Sequence, residues 1–524
     1  MTGLSDTATV REALASFYDQ VPYDSQPFSE ARPAYLGALG RLHGLNCALP
    51  TNCRVLELGC ASGGHLIPLA SYHPQAEFVG IDLSERQINA GRELIQAVGL
   101  DNCTLHVADL TTFKPSAEGY DYVIAHGLYS WVPDSVRNKI LTHCRRALRP
   151  GGIAYISYNT LPGWRMRGLT RDLLEWHLND IADPLDRLME AQALISRLGT
   201  AVDPDEPSSY LEMELARISS RPPSYLAHEF LEPDNHAFLL KDFVQDAANA
   251  GLRYLCNADL ATGYPELYDE LGVAMHELAN DPVELEQYLD FVANRAFRQS
   301  LLCRDDEPPT KFDHNRIRQL HLASDLLPPP KLDLRRTKSQ TFCTRSGSDF
   351  DADHPLTKAV LSELAGESPL GKPCTELLRK ASERVHAQGN ETDSEDYDEA
   401  IDELFSLVVL QHIEPLYQVA RQMPHRTDNP RANRLALQQA RLNWSHLATI
   451  THRSLDIDDF ARALVLLLDG TRDQGTLNKL MLDWVKSKNT LDEATLQGMH
   501  KNVEENVARL LKLFARHGIL EPRG

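Results

Sequence analysis

The sequence predicts an α/β protein built on a Rossmann-like, doubly wound and mainly parallel sheet. Two observations carry this prediction. Strand-like apolar segments alternate with helical ones between about residues 52 and 160, and the first strand runs into a glycine-rich turn, VLELGCASGGHL. Such alternation is typical of parallel sheets, which bind ligands at the carboxyl ends of their strands. Functional residues are therefore expected at the strand ends.

The first strand, Arg54 to Leu58, and its turn favour a cofactor other than a dinucleotide. Gly59, Ala61 and Gly64 stand where G-x-G-x-x-G has three glycines, but Ala61 brings a methyl group to the position where the backbone approaches a pyrophosphate. Glu57 would also place a carboxylate at the opening of the ligand crevice, where it would repel that pyrophosphate. A ligand with an ammonium and a sulfonium group, such as S-adenosylmethionine, suits this charge better.

The next two strands also end in acidic residues. FVGIDLS ends in Asp82, about 20 residues after the turn, where a carboxylate can accept both ribose hydroxyls. CTLHVADL ends in Asp109, which is placed to receive an adenine amino group and is not required by a dehydrogenase. DYVIAHGLYSWVP and LRPGGIAYISYN supply the fourth and fifth strands.

These residues resemble a known family, the class I S-adenosylmethionine-dependent methyltransferases. Their pattern, an acidic residue followed by G-x-G-x-G, appears as Glu57, Gly59, Ala61 and Gly63, with Ala in place of the middle glycine. YDQVPYDSQPF, HGLYSWVP and SYNTLPGW narrow the resemblance to bacterial methyltransferases with a regulatory domain, a group that includes protein-lysine methyltransferases acting on rickettsial outer-membrane protein. FVANRAFRQSLLCR is similar to the signature of that regulatory domain. The resemblance implies S-adenosylmethionine as cofactor, lysines of a protein substrate as acceptors, and a homodimer.

The candidate site residues combine the strand ends with this resemblance. The expected cofactor-binding residues are Tyr18 and Tyr23, as a lid, with Glu57, Gly59, Cys60, Ala61, Gly63, Asp82, Leu83, Asp109, Leu110 and His126. The expected catalytic residues, at the ends of the fourth and fifth strands, are His126, Tyr129, Trp131, Tyr158 and Asn159. An apolar, aromatic channel favours the neutral lysine that methyl transfer needs, and aromatic faces stabilise the methylated cation.

Each acceptor residue has a structural alternative. Tyr129 and Trp131 could be ordinary packing under a helical cap, and His126 could be an anchor rather than a general base. His228 and Glu229 could enter the site from the cap boundary or form a turn.

The predicted domain organisation has five parts. Residues 1–51 form a helical arm and lid, 52–160 the cofactor-binding core and 161–225 a helical cap insertion. Residues 226–327 complete the core and add a regulatory domain, and 328–524 form a linker and a mostly helical, winged-helix-like domain.

Composition excludes several classes of function. With 53 basic and 74 acidic residues the net charge is −21, which disfavours a nucleic-acid substrate. The nine cysteines form no C-x-x-C pair, so we expect no metal and reduced thiols in the cytoplasm. The amino terminus lacks the features of a signal peptide, and no membrane insertion is expected. The leading prediction is a methyltransferase acting on protein lysines. The alternatives are a small-molecule methyltransferase or a cofactor-sensing regulator with little turnover.

Overall fold

The computed structural model describes residues 25–203, 209–219, 221, 223–232, 234–308, 311–327, 329, 331–418, 428–488 and 493–521. Tyr18 and Tyr23 lie outside these ranges, so the predicted lid is not described. No helix within the ranges is long and apolar enough to cross a membrane.

A single large sheet organises the first part of the chain. Its five parallel strands lie in the order β3-β2-β1-β4-β5, so the strand order reverses between β1 and β4. The strands are β1 (Arg54–Leu58), β2 (Glu77–Asp82), β3 (Cys103–Val107), β4 (Tyr120–Ala125) and β5 (Leu148–Thr160). The accompanying helices are α1 (Pro33–Leu42), α2 (Leu66–Tyr72), α3 (Glu85–Val98) and α4 (Asp134–Ala147). This architecture confirms the predicted fold class, and ligands of such sheets bind beside the reversal point.

A helical insertion follows β5 and has its own small core. Its helices are α5 (Gly163–His177), α6 (Pro184–Gly199), α7 (Tyr210–Ser219) and α8 (Pro223–Leu226). Leu174, Leu188, Ile195 and Leu215 are buried together there with Phe230, which lies in a π-helical turn, Ala227–Leu231. The insertion therefore has a hydrophobic core separate from that of the sheet.

The chain then returns to the sheet. β6 (Ala237–Phe238) pairs with β5, and α9 (Leu240–Asn249) leads through Gly251 into β7 (Leu252–Asn257). After α10 (Asp269–Leu278) and α11 (Pro282–Val292), β8 (Phe297–Arg304) runs antiparallel between β5 and β7. Arg298 on β8 is fully buried, and its guanidinium binds the carboxylates of Asp290 and Glu286 at 2.7 and 2.8 Å.

The carboxyl-terminal part contains two groups of elements. The first packs against the sheet core and comprises β9 (His321–Ala323), β10 (Gln340–Cys343), β11 (Asp349–Ala352), α12 (Pro355–Glu367), β12 (Lys372–Pro373), α13 (Cys374–Ala387), α14 (Ser394–Val409) and β13 (Glu414–Leu416). The second has its own core and comprises α15 (Arg434–Arg441), β14 (His446–Ala448), β15 (Ser454–Asp456), α16 (Asp459–Leu467), α17 (Gln474–Lys488) and α18 (Glu493–Arg516). β14 and β15 form an antiparallel hairpin.

Candidate active site

The glycine-rich turn after β1 has an unusual backbone. Gly59, Ala61 and Gly63 have φ angles of 76°, 48° and 78°, in the left-handed region that favours glycine. The backbone amide of Ala61 donates to Asp82 Oδ2 at 2.8 Å, and that of Gly59 donates to the carbonyl of Ile81, also at 2.8 Å. These bonds tie the turn to the end of β2 and hold Ala61 in a conformation that costs an L-residue roughly 1–2 kcal/mol.

Asp82 is fixed at the end of β2 by its backbone neighbours. Its Oδ1 accepts a hydrogen bond from the amide of Ser84 at 2.9 Å, and the Ser84 hydroxyl in turn caps α3 by accepting from the amide of Gln87. The carboxylate therefore holds its orientation before any ligand binds, as recognition of a ribose requires.

Glu57 is a buried carboxyl group that lacks a full set of partners. The residue is 3% exposed, and within the described ranges its Oε2 has no hydrogen-bond partner. Burial, with a smaller contribution from the Asp82 charge, raises the pKa of Glu57 to about 8. A buried acceptor without a donor is costly, and a ligand ammonium group would satisfy it.

A cavity of about 460 Å³ lies over these residues. Ten of the predicted site residues line it: Glu57, Gly59, Cys60, Ala61, Asp82, Leu83, Asp109, Leu110, His126 and Trp131. The cavity sits at the carboxyl ends of β1, β2 and β4, beside the point where the strand order reverses. The cavity thus brings these ten residues together, although they make up less than half of its lining.

Other predicted residues do not line this cavity. Tyr129 and Tyr158 were expected in the acceptor wall, but each is 1% exposed and their rings pack with Phe238 and Phe243 in the core beneath α4 and α9. The placement of Tyr158 follows from strand alternation, which turns it to the opposite face of β5 from Tyr155.

Asn159 and Gly63 also lie outside the wall. Asn159 was expected to be catalytic, but it is buried. Its backbone amide donates to Ser130 Oγ at 2.8 Å, and its side-chain Nδ2 donates to Asn235 Oδ1 at 3.4 Å. Gly63 supports the turn instead, since its amide donates to the carbonyl of Cys60 at 2.8 Å.

His126 is held between aromatic rings. Its imidazole stacks on Phe28 with ring centroids 3.7 Å apart, and its Nδ1 lies 3.0 Å from the hydroxyl of Tyr155. Burial lowers the pKa of His126 to about 4, so the ring is neutral at pH 7. Such a weak base is poorly matched to a lysine ammonium, which favours an anchoring role over general-base catalysis.

The wall away from the glycine-rich turn is aromatic and acidic. Trp131 lies edge-on to Trp164 of α5 at 6.0 Å, and His228, Glu229 and Asp234 complete this side. Burial raises the pKa of Glu229 from its usual value, although the Arg167 and Arg217 charges oppose this shift.

Several wall residues were not predicted from the sequence. Phe28 and Ser25 belong to the arm, and Ser25 Oγ accepts a hydrogen bond from the amide of Gly64 at 2.8 Å. Both lie within the stretch YDQVPYDSQPF, of which only the two tyrosines were predicted as site residues. His65 follows the glycine-rich turn directly, and its position next to Gly64 was the signal that could have identified it.

This geometry defines a class I S-adenosylmethionine-dependent methyltransferase, and comparisons with known proteins agree. Three family models match: "Methyltransferase domain" over residues 55–152, "Predicted methyltransferase regulatory domain" over 222–304, and "PKMT, C-terminal winged helix domain" over 428–519. The uncharacterized protein RP789 of Rickettsia prowazekii (strain Madrid E) is 30% identical over 520 residues, covering 96% of this chain and 93% of that protein. Trans-aconitate 2-methyltransferase of Variovorax paradoxus (strain S110) is 32% identical over 108 residues, or 21% of this chain and 39% of the enzyme.

A solved structure extends the likeness to almost the whole chain. PKMT2 from Rickettsia typhi in complex with AdoHcy is 25% identical, with a TM-score of 0.81 over 95% of this chain and 100% of that one. The chain belongs to the class I methyltransferase family that carries the regulatory domain and the PKMT winged-helix domain. Its cofactor is S-adenosylmethionine. Glu57 Oε2, which has no hydrogen-bond partner among the described residues, and the fixed carboxylate of Asp82 fit this molecule's ammonium and ribose.

Proposed function

We propose that the chain transfers methyl groups from S-adenosylmethionine to lysine side chains of a protein substrate. The observation that carries this proposal is the aromatic and acidic wall formed by Trp131, His228, Glu229 and Asp234. Its carboxyl groups would attract a lysine ammonium, and the tryptophan face would stabilise the methylated product cation. The name of the Rickettsia typhi neighbour, PKMT2, points to the same substrate class.

In methyl transfer to lysine, the main task of the protein is to position a neutral amine. The bound cofactor supplies an electrophilic methyl group, and the protein must hold the lysine nitrogen within about 3 to 3.5 Å and in line with it. A lysine with a pKa near 10.4 must first lose a proton, and a carboxylate of the wall can accept it. Burial raises the pKa of Glu229, which makes its carboxylate a stronger base than an ordinary glutamate.

The direct test follows a methyl label. The purified protein is incubated with methyl-labelled S-adenosylmethionine and a bacterial extract that includes outer-membrane proteins, and labelled bands are hydrolysed in acid. Methyl-lysine in protein bands would support the proposal and identify the acceptor. Label confined to small molecules would replace it with metabolite methylation, and AdoHcy binding without any transfer would favour a cofactor-sensing regulator.

Two variants sharpen this test. Glu229→Gln keeps the size of the side chain but removes its charge, so label transfer should fall by about tenfold or more while AdoHcy binding is kept. Asp82→Ala weakens the cofactor contact, so transfer should fall when S-adenosylmethionine is limiting. Equal transfer by Glu229→Gln and the unchanged protein would remove Glu229 from the mechanism.

The proposal also includes the homodimer that the family resemblance implies. On α5, Met166, Leu169 and Trp176 are 41%, 48% and 78% exposed and share one helix face. Antiparallel pairing of this face with a second copy would bring Arg165 near the oppositely charged Asp172. We expect a dimer in sedimentation at micromolar concentration, which Trp176→Glu converts to a monomer. A monomer from the unchanged chain, or a dimer that survives this substitution, would contradict this interface.

A further inference from the structure

The hairpin of the winged-helix domain reaches the cofactor-binding part of the chain. His452 lies in the turn between β14 and β15, is 2% exposed, and has a φ angle of 59°. Its Nε2 lies 2.8 Å from Nδ1 of His65, the residue that directly precedes α2 and lines the cofactor cavity. The wing of this domain is thus in direct contact with a wall residue of the active site.

The direction of this hydrogen bond can be assigned from its neighbours. The backbone amide of Phe28 donates to the same His65 Nδ1 at 3.3 Å, so this nitrogen acts as an acceptor. His452 must therefore donate from Nε2. Burial lowers the pKa of both imidazoles, that of His65 to about 3, which agrees with a neutral pair.

The contact fixes two parts of the cavity wall. His65 stands at the amino terminus of α2, immediately after the glycine-rich turn, and Phe28 stacks on His126 at 3.7 Å. Both Phe28 and His126 line the cavity. Loss of the His452 donor would leave His65 Nδ1 with the longer Phe28 bond and loosen the Phe28 segment at the cavity.

The far end of the same helix is held by the same domain. The hydroxyl of Tyr72, the last residue of α2, lies 3.2 Å from the carbonyl oxygens of Ala448 and Gly518, to either of which it can donate. Asn433 Nδ2 donates to the same hydroxyl at 3.2 Å. The helix that follows the glycine-rich turn is therefore held at both ends by the winged-helix domain.

We propose that His452 is a positioning residue for the cofactor site, through which the winged-helix domain holds His65 and the Phe28 segment in their binding conformation. The proposal rests on the cofactor assignment made above. The backbone at His452 is compatible with this role, because its left-handed φ angle, easiest for glycine, is also adopted by histidine more often than by most residues.

The test uses full-length variants and AdoHcy as the probe, with the dissociation constant measured by calorimetry. His452→Gly relieves the backbone strain but removes the donor and a buried ring, so the melting temperature should fall somewhat, and we expect AdoHcy affinity to fall about fivefold. His452→Gln places an amide donor near the position of the imidazole Nε2 and should restore most of the affinity. Ser454→Ala, on the exposed side of the same hairpin, is the matched control and should bind like the unchanged protein.

The outcomes separate this inference from the cofactor assignment. A His452→Gly protein that binds AdoHcy as tightly as the unchanged protein would overturn the positioning role, whatever its melting temperature. Should that variant fail to fold, His452→Asn tolerates the same backbone but is too short to reach His65, and it carries the same expectation. Failure of the unchanged protein to bind AdoHcy would instead refute the cofactor assignment. In kinetic assays the KM for S-adenosylmethionine should rise, while the KM for the acceptor stays constant.

Discussion

Glu57 links cofactor binding to pH, and its removal is the most informative perturbation of the site. In the ligand-free protein the carboxyl is buried, its pKa is raised to about 8, and it is mostly protonated at neutral pH. The ionised form pairs with the ligand's ammonium group much more strongly than the neutral acid does. We therefore expect binding to release a proton, and affinity to increase with pH up to the pKa of Glu57.

The size of this effect follows from that pKa. At pH 7 about one tenth of the Glu57 carboxyls are ionised and at pH 6 about one hundredth, so the dissociation constant should weaken about tenfold between these pH values. This is about 1.4 kcal/mol per pH unit. The same linkage acts on folding. The folded protein holds this proton more tightly than the unfolded chain, so the stability it contributes is full below about pH 4.5 and is lost as pH rises towards 8.

The assay is calorimetric titration with AdoHcy from pH 5.5 to 7, where the ligand's amino group stays protonated. Titrations in two buffers of different ionisation enthalpy should show release of about one proton. Glu57→Gln should bind more weakly at pH 7, without the pH slope or the proton release, because the amide does not titrate. Asp109→Asn is the control, since it should weaken binding and keep the slope. A flat profile for the unchanged protein, or a slope that survives in Glu57→Gln, would refute the linkage.

Three further predictions test the turn and the core. Asp82→Ala should weaken AdoHcy binding roughly ten- to a hundredfold, since it removes charge-assisted hydrogen bonds, and an unchanged dissociation constant would refute the ribose assignment. Gly64→Ala would place a Cβ 2.3 Å from the Ser25 backbone, so AdoHcy affinity and melting temperature should both fall; Gly168→Ala, which meets nothing within 4 Å, should be neutral or stabilising. Arg298→Met leaves the buried Glu286 without its cation and Asp290 with Arg295 alone, and denaturant unfolding should show a loss of about 3–5 kcal/mol; a loss below 1 kcal/mol would contradict this.

The cofactor side of the site could be predicted because its chemistry lies close in the sequence. Glu57, Asp82 and Asp109 each sit at or just after the end of a short apolar strand, and parallel strands bring their carboxyl ends to one edge. The position of each acidic residue at a strand end was therefore enough to predict that the three lie close together. Ala61 was the one departure from the family pattern, and the structure accommodates it with a left-handed backbone and a bond to Asp82.

The acceptor side was predicted less well because a position near a strand end was given more weight than the alternation of side chains along the strand. Tyr158 and Tyr155 lie on the same strand with opposite parity, and only Tyr155 reaches the cavity-lining His126. The alternation rule could have distinguished them. Tyr129 could not have been placed in this way, because its ring packs against Phe238 and Phe243, more than one hundred residues later in the chain.

The contacts with the greatest sequence separation explain why the winged-helix domain could not be connected to the site from the sequence. His452 and His65 are 387 residues apart, and neither belongs to a motif that would suggest a partner. The left-handed φ angle at His452 is visible only in the fold, and glycine would adopt it with less strain. A histidine at this position donates a hydrogen bond to His65, the residue between the glycine-rich turn and α2. This contact accounts for the choice of residue. A domain whose family model names only a winged helix thereby becomes part of the cofactor-binding apparatus.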